Sequence, residues 1–473
     1  MSTLIDLPIA ELIKKIRKKE ILSVDLITEA YDRIEATEPS TNAFITIVDR
    51  DTALENATAI DARSDLASLK LPGIPYVMKD AYLTRGVRTT AASKILDDFV
   101  PPYSATVHKR LKDAGAILIG KMNMDAWGHG ASTENTDYGP AMNPWDLTRS
   151  AGGSGGGPAA AIAMRYASFG IGEDTGGSIR NPAAWNNITA MKVTYGRVSR
   201  YGAIAYASSL DTMGPTAKTS EDCALVLEVI AGHDPYDATS SAEPVPQYFD
   251  ALGSSIKGKK IAVPTEFFTG LDPQIDALIR AARITLESLG AIVTDVSLPM
   301  LEYGVPMYYI LAPSETSSNL SRYDGIRFGS GRDLFTNESK RRIMTGTYAL
   351  SSGYYDAYYK KAQRARTLLR DAYTKTLTEF DAILSPVTPM MPTKPGVLLD
   401  DPVRNMMADL YTGLINIIGL PSLAIPCGFT KDNLPVGMQL IGGMFSESKL
   451  FAIGHAYQQA TSWHTNKPPT LKE

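Results

Sequence analysis

A chain of 473 residues, 44% hydrophobic and 21% charged, reads as a globular protein: long for one domain, but within reach of a single large α/β unit. Its net charge of −4 offers no basis for gripping nucleic acid unaided, so any nucleic-acid role has to come through a partner. Two cysteines, Cys223 and Cys427, exclude a disulfide framework and point to a reducing compartment. The opening M-S-T-L-I-D-L-P lacks the basic region and apolar core of a signal peptide. No apolar run reaches the ~18 residues of a membrane span, so a cytoplasmic location is expected.

In chain order, Ile9, Leu12, Ile13 and Ile16 form one helical stripe, and Leu26, Ile27, Ala30, Tyr31 and Ile34 a second, with Ser23 as its expected cap. A strand over 43–48 and an Ala-rich helix reaching about Leu69 follow. The apolar run 74–78 predicts a buried strand ending in Lys79. A helix over 105–114 and a strand over 116–121 come next, and then a polar, Gly-rich, loop-like stretch to Arg149. Residues 158–166 read as a short helix, 167–172 as a buried strand and 191–211 as strand and turn. A helix over 219–230 opens with Thr219 and Asp222 in capping positions. The polar segment 233–257 reads as a surface insertion. Strands at 260–263 and 291–296 flank a helix over 273–289. Helical patterns cover 305–322 and 348–379, and the last strands are 381–385, 423–426 and 436–441. This alternation predicts an α/β fold, a central sheet covered by helices on both faces. Residues 1–70 are expected to pack as a helical segment on a main domain of residues 71–473, the two forming one continuous unit.

The chemistry concentrates between Ser150 and Arg180, where Ser154 lies in G-G-S-G-G-G and Ser178 in D-T-G-G-S-I-R. Glycine clusters strip away side chains and let backbone N–H groups face a ligand. The first cluster lacks the G-K-[ST] of a phosphate loop and the glycine spacing of a dinucleotide fingerprint. It does match G-x-S-x-G, but the N-P-W-D-L-T-R-S-A before it is not the strand that a hydrolase nucleophile elbow needs. An S-x-x-K at Ser254–Lys257 lies in a charged surface stretch and reads as chance. His108, His129, His233, His455 and His464 form no metal-ligand spacing, and Cys427 reads as a buried structural thiol. That leaves Lys79 as the candidate base: at a buried strand end desolvation favours the neutral amine, which accepts protons. The competing reading pairs Lys79 with Asp80 or another nearby carboxylate.

The lysine of G-I-P-Y-V-M-K-D, the serine of G-G-S-G-G-G and the serine of D-T-G-G-S-I-R resemble the amidase signature family in order and spacing, and the resemblance runs from about Leu4 to Ala460. The segments T-Y-G-R-V-S-R-Y-G, S-S-L-D-T-M-G-P, S-S-N-L-S-R-Y-D-G-I-R-F-G and K-R-R-I-M-T-G-T-Y-A-L-S-S-G-Y-Y-D-A-Y-Y are similar to the branch of that family that serves tRNA-dependent amidotransferases. The resemblance implies a large mixed sheet and a Ser–cisSer–Lys triad: Ser178 as nucleophile, Ser154 as bridging serine after a cis Gly153–Ser154 peptide, and Lys79 as base. It implies an oxyanion hole of backbone amides from Thr175, Gly176, Gly177 and Ser178, and substrate contacts from Tyr309, Arg342 and Asp409. An arginine suits the α-carboxylate of glutamine, and an aspartate its α-ammonium.

The same resemblance implies glutamine hydrolysis to supply ammonia for amidating glutamyl-tRNA(Gln), with aspartyl-tRNA(Asn) as a further acceptor. No cofactor is expected in this chain. ATP and Mg²⁺ belong to a partner B subunit that also carries most of the aminoacyl-tRNA, and a small C subunit completes the complex. No membrane is involved. The chain departs from the family's usual pattern at Gly155 and Glu173, where serine is usual, at Pro158 and Val193, and in a shorter stretch over 329–340. These departures bear on the support around Ser154 more than on the reaction type. Two alternatives stay open, a stand-alone amidase with the same triad and a catalytically impaired scaffold subunit.

Overall fold

The near-continuous apolar runs of this chain become strands buried on both faces, as expected when helices cover a sheet from two sides. The computed structural model describes residues 3–327 and 329–471; Met1, Ser2, Phe328, Lys472 and Glu473, which include parts of the N-terminal stretch and of S-S-N-L-S-R-Y-D-G-I-R-F-G, lie outside them. The strands are β1 (Phe44–Ile47), β2 (Pro75–Lys79), β3 (Ile117–Met122), β4 (Met142–Asn143), β5 (Asp146–Ser150), β6 (Phe169–Asp174) and β7 (Thr189–Lys192). There follow β8 (Thr212–Ala217), β9 (Lys260–Pro264), β10 (Ile292–Val296), β11 (Ala382–Pro386), β12 (Ser422–Phe429) and β13 (Pro435–Ile441). Eleven form one mixed sheet in the order β1-β3-β2-β6-β8-β7-β12-β13-β11-β9-β10, and β4 and β5 make a small hairpin. Because side chains alternate across a strand, Tyr76 and Met78 of β2 enter one apolar core while Val77 enters the other.

Strands β3, β2 and β6 lie side by side and parallel, with Lys79 opposite Met122 and Met78 opposite Ile171. Their carboxyl ends therefore converge on one edge, where ligands of open α/β sheets bind. The helix Gly156–Ala163 packs against β2 and β6, and the helix Ile9–Arg17 sends Ile9, Leu12 and Ile16 into the core that receives Tyr76.

Several local expectations are corrected. Ser23 is not the cap of its helix: it is the first helical residue, and the Asp61 carboxylate accepts from the amides of Ser23 and Val24 at 2.8 and 3.1 Å. The Ala-rich helix stops at Asp61 rather than near Leu69. The helix expected over 348–379 begins only at Asp356, as a π-helical turn Asp356–Lys360 that runs straight into Lys361–Glu379, because S-S-G turns the chain with Gly353 at φ +88°; a separate helix, Asn337–Ala349, precedes that turn. Strand β8 has no counterpart in the expected elements. Its Pro215 disguises it: this proline stands opposite Ile171 of β6 and lies beyond the pairing with β7, which involves only Thr216 and Ala217. Thr219 caps its helix as expected, accepting from Asp222 N–H at 3.0 Å.

Candidate active site

Lys79 ends β2 with its side chain buried, and its Nζ lies 2.8 Å from the Oγ of Ser154. Ser154 follows a cis Gly153–Ser154 peptide bond. A Cβ on Gly153 would sit 2.2 Å from Asp125 Oδ2 and 2.4 Å from Ser132 N, so only glycine fits. Asp125 organises this turn: its carboxyl accepts from the amides of Ser132, Thr133, Glu134 and Asn135 between 2.8 and 3.3 Å, and its own N–H donates to the Ser154 carbonyl at 3.0 Å. Burial pushes that carboxyl up, against the pull of the amides. In sequence this stretch reads only as a polar loop, but residues 123–135 are buried throughout.

Ser178 belongs to the next loop. Its carbonyl accepts from Gly155 N–H at 3.1 Å, and its hydroxyl has no hydrogen-bond partner among the described residues. A Cβ on Gly155 would stand 2.7 Å from that carbonyl, so a side chain there requires the two loops to move apart. Ser178 is 7% exposed, against 1% for Lys79 and 0% for Ser154, which makes it the one of the three that can meet a ligand. Lys79 and Ser154 are thus in direct contact, while Ser178 joins them through the backbone.

The Ser178 loop is clamped at both ends by a pair that sequence reasoning does not single out. Arg180, fully buried, donates from Nε and Nη2 to the Asp174 carboxylate at 3.0 Å each, and to Gln439 Oε1, Thr412 O and Asn416 Oδ1. Burial pushes Asp174 up, but the guanidinium more than offsets it and holds the carboxyl at about 2. Asp174 also accepts from Gly177 N–H at 2.9 Å, so of the four expected oxyanion amides Gly177's is already engaged. Those of Thr175, Gly176 and Ser178 have no acceptor among the described residues. Gly177 sits at φ +137°, and a Cβ there would lie 2.3 Å from Thr412 Oγ1. The sequence signal for the clamp is an acid and an arginine bracketing a glycine loop.

Tyr309, Arg342 and Asp409 meet beside this loop. Tyr309 OH donates to Asp409 Oδ2 at 3.0 Å, and Asp409 Oδ1 lies 3.4 Å from where a Gly177 Cβ would be. The Arg342 guanidinium stacks 5.2 Å from the Tyr309 ring, donates to Tyr206 OH, and pairs with Glu338 at 2.7 Å. Arg341 also pairs with Glu338. Burial raises the Asp409 carboxyl to about 7, against the pull of Arg342 and the Tyr309 hydroxyl. Sequence reasoning misses Tyr206 and Glu338; the i,i+4 spacing of Glu338 and Arg342 on one helix is the available sign.

Lys79 does not pair with Asp80, which is taken by Lys121 at 3.1 Å and by Thr90. It does pair with a carboxylate: Glu173 Oε2 is 3.4 Å from Nζ, and Glu173 is as buried as Lys79. His129 is held by Ser339 and Thr316 hydroxyls, and burial, with Arg342 and Lys79 nearby, pushes it well below the usual imidazole range. Among the described residues no group of His, Cys, Asp and Glu is placed to hold a metal ion, and no helix is long and apolar enough to cross a membrane.

The sequence model of the Amidase family matches residues 25–451. The chain is 48% identical to the A subunit of the glutamyl-tRNA(Gln) amidotransferase of Moorella thermoacetica, covering 97% of each. It is likewise 48% identical to the protein of the same name from Methylococcus capsulatus, over 98% of this chain and 99% of the relative. Among solved structures, the A subunit of the glutamyl-tRNA(Gln) amidotransferase of Thermotoga maritima superposes with a TM-score of 0.84 at 36% identity, over 99% of this chain and 96% of that one.

Proposed function

This chain belongs to the amidase family, and on that premise we propose that it is the glutamine-hydrolysing subunit of a glutamyl-tRNA(Gln) amidotransferase. Ser178 Oγ attacks the side-chain amide carbon of glutamine. Its proton passes to Ser154 and the Ser154 proton to Lys79, over the 2.8 Å contact between Ser154 and Lys79. The oxyanion forms on the free amides of the Ser178 loop, which are fixed before the charge develops. Lys79 returns the proton through the same path to the leaving nitrogen, ammonia departs, and water resolves the acyl-enzyme.

The observation that carries the glutamine reading is the union of buried Arg342 and Asp409 with half-buried Tyr309 next to the Ser178 loop. A fixed cation and a fixed carboxyl joined through one tyrosine match the α-carboxylate and α-ammonium of a free amino acid. A simple amide has no use for both. The ammonia goes to a B subunit that uses ATP and Mg²⁺ to activate the tRNA-borne carboxylate, with a C subunit completing the assembly. The net charge of −4 agrees with tRNA resting mainly on the partner.

The test is amidated tRNA formed by the assembled complex with each nitrogen donor. Ser178→Ala should block glutamine-dependent amidation of glutamyl-tRNA(Gln) and leave amidation from ammonium salt largely intact. Loss of both reactions in a complex that still assembles overturns the proposal.

A further inference from the structure

Three acceptors surround the Lys79 nitrogen: Ser154 Oγ at 2.8 Å, the Glu173 backbone carbonyl at 3.3 Å and Glu173 Oε2 at 3.4 Å. A tetrahedral nitrogen on a side chain has three free directions, and here each has one oxygen. The carbonyl and the carboxylate of Glu173 can only accept, so each must take an N–H. The Ser154 hydroxyl can do either. When Lys79 is neutral it has two N–H groups and one lone pair, and the only place left for the lone pair is toward Ser154 O–H. When Lys79 has taken the Ser154 proton, the ammonium keeps the same three contacts and gains a carboxylate as countercharge in a site from which water is excluded.

Asp125 acts on Lys79 only through space. Among the described residues Glu173 is the only carboxylate paired with Lys79. Asp174, next along β6, is committed to Arg180, and Asp125, after β3, to four amides. Asp211, before β8, accepts from Thr175 Oγ1 and the amides of Tyr206 and Ala207. Arg200 acts on Glu173 only through space, and the Tyr82 hydroxyl donates to Gly172 O. Glu173 Oε1 has no partner among the described residues. This carboxylate therefore has one evident task, and it faces Lys79.

We propose that Glu173 is a positioning residue acting through Lys79: it turns the lysine lone pair onto Ser154, and its charge sets the pH at which the base becomes available. The inference rests on the triad reading above. A neighbouring negative charge favours the ammonium over the amine, so the carboxylate stabilises the ammonium that forms when Lys79 takes the Ser154 proton. Burial raises the Glu173 carboxyl and Lys79 opposes that rise; once Glu173 is protonated the countercharge is lost.

The readout is the rate at which Ser178 in the full-length chain is labelled by an uncharged alkyl fluorophosphonate, across pH. The probe forms an Oγ–P bond and releases fluoride, and it bypasses Arg342 and Asp409. Labelling of the wild type should rise with pH to a plateau. Glu173→Gln keeps an acceptor but removes the charge, so its rising limb should lie about one to two pH units lower, giving roughly 10- to 100-fold faster labelling below the wild-type limb. Its plateau should stay within a few-fold. Glu173→Leu removes the acceptor as well and should also lower the plateau. Glu173→Ser, uncharged and smaller, should show the same downward shift if the Gln variant does not accumulate. Uncharged variants that label uniformly slower, or at the wild-type rate, with the limb unmoved overturn the inference. Lys79→Met keeps the two failures apart. If it labels as fast as the wild type the triad reading falls, whereas if it is inert and the Glu173 limb stays put, only the role of Glu173 falls.

Discussion

Arg342 offers the sharpest test of substrate recognition. Its guanidinium is buried, stacked on Tyr309 and paired with Glu338 at 2.7 Å, so it is fixed before any ligand arrives. One charge-assisted contact to a carboxylate is worth about 1.5–3 kcal/mol, so Arg342→Met should lower kcat/KM for glutamine about 10- to 150-fold, mainly through KM. Removing one member of a buried pair also costs about 3–5 kcal/mol of stability, a loss softened here because Glu338 keeps Arg341. The double variant Arg342→Met, Glu338→Gln removes both charges and should recover most of the stability while keeping the KM defect. The assay is ammonia release from glutamine and from 4-aminobutanamide, which retains the ammonium and the amide but lacks the α-carboxylate. The wild type should prefer glutamine by roughly the factor the variant loses, and the variant should treat the two almost alike. A fall in kcat that is equal for both substrates, with the preference unchanged, refutes a contact between Arg342 and the α-carboxylate.

Lys79→Ala should lower glutaminase kcat by at least the roughly 10²- to 10⁴-fold of a lost general base, while His455→Ala and His464→Ala stay within a few-fold; the reverse pattern in steady-state rates restores the hydrolase-elbow reading. With Asp409 raised by burial to about 7, lowering the pH through that value neutralises the partner of the α-ammonium. KM for glutamine should therefore climb toward about tenfold per pH unit on the acid side, and Asp409→Asn should start from a higher KM and lose that dependence; a wild-type KM flat between pH 6 and 8 removes Asp409 from ammonium recognition.

What can be read in the sequence is what depends on neighbours along the chain. Five buried positions running into Lys79 define β2 by themselves, and serines set in glycine mark backbone exposed to a ligand. Periodicity also locates most strands, and fails where one residue contradicts its element, as Pro215 does in β8 and S-S-G does in the long helical pattern. What cannot be read is who stands across from whom. Glu173 reaches Lys79 from 94 positions away because β2 and β6 are parallel neighbours in a particular register. A shift of that register by one residue would turn the carboxylate to the other face of the sheet. The two readings of Lys79, a neutral base or half of an ion pair, look exclusive in the sequence, yet the geometry accommodates both in turn. The amine directs its lone pair at Ser154 because Glu173 occupies its N–H groups, and the ammonium formed on proton transfer is already paired. Residue type selects the lysine, but the sheet register decides which carboxylate stands beside it.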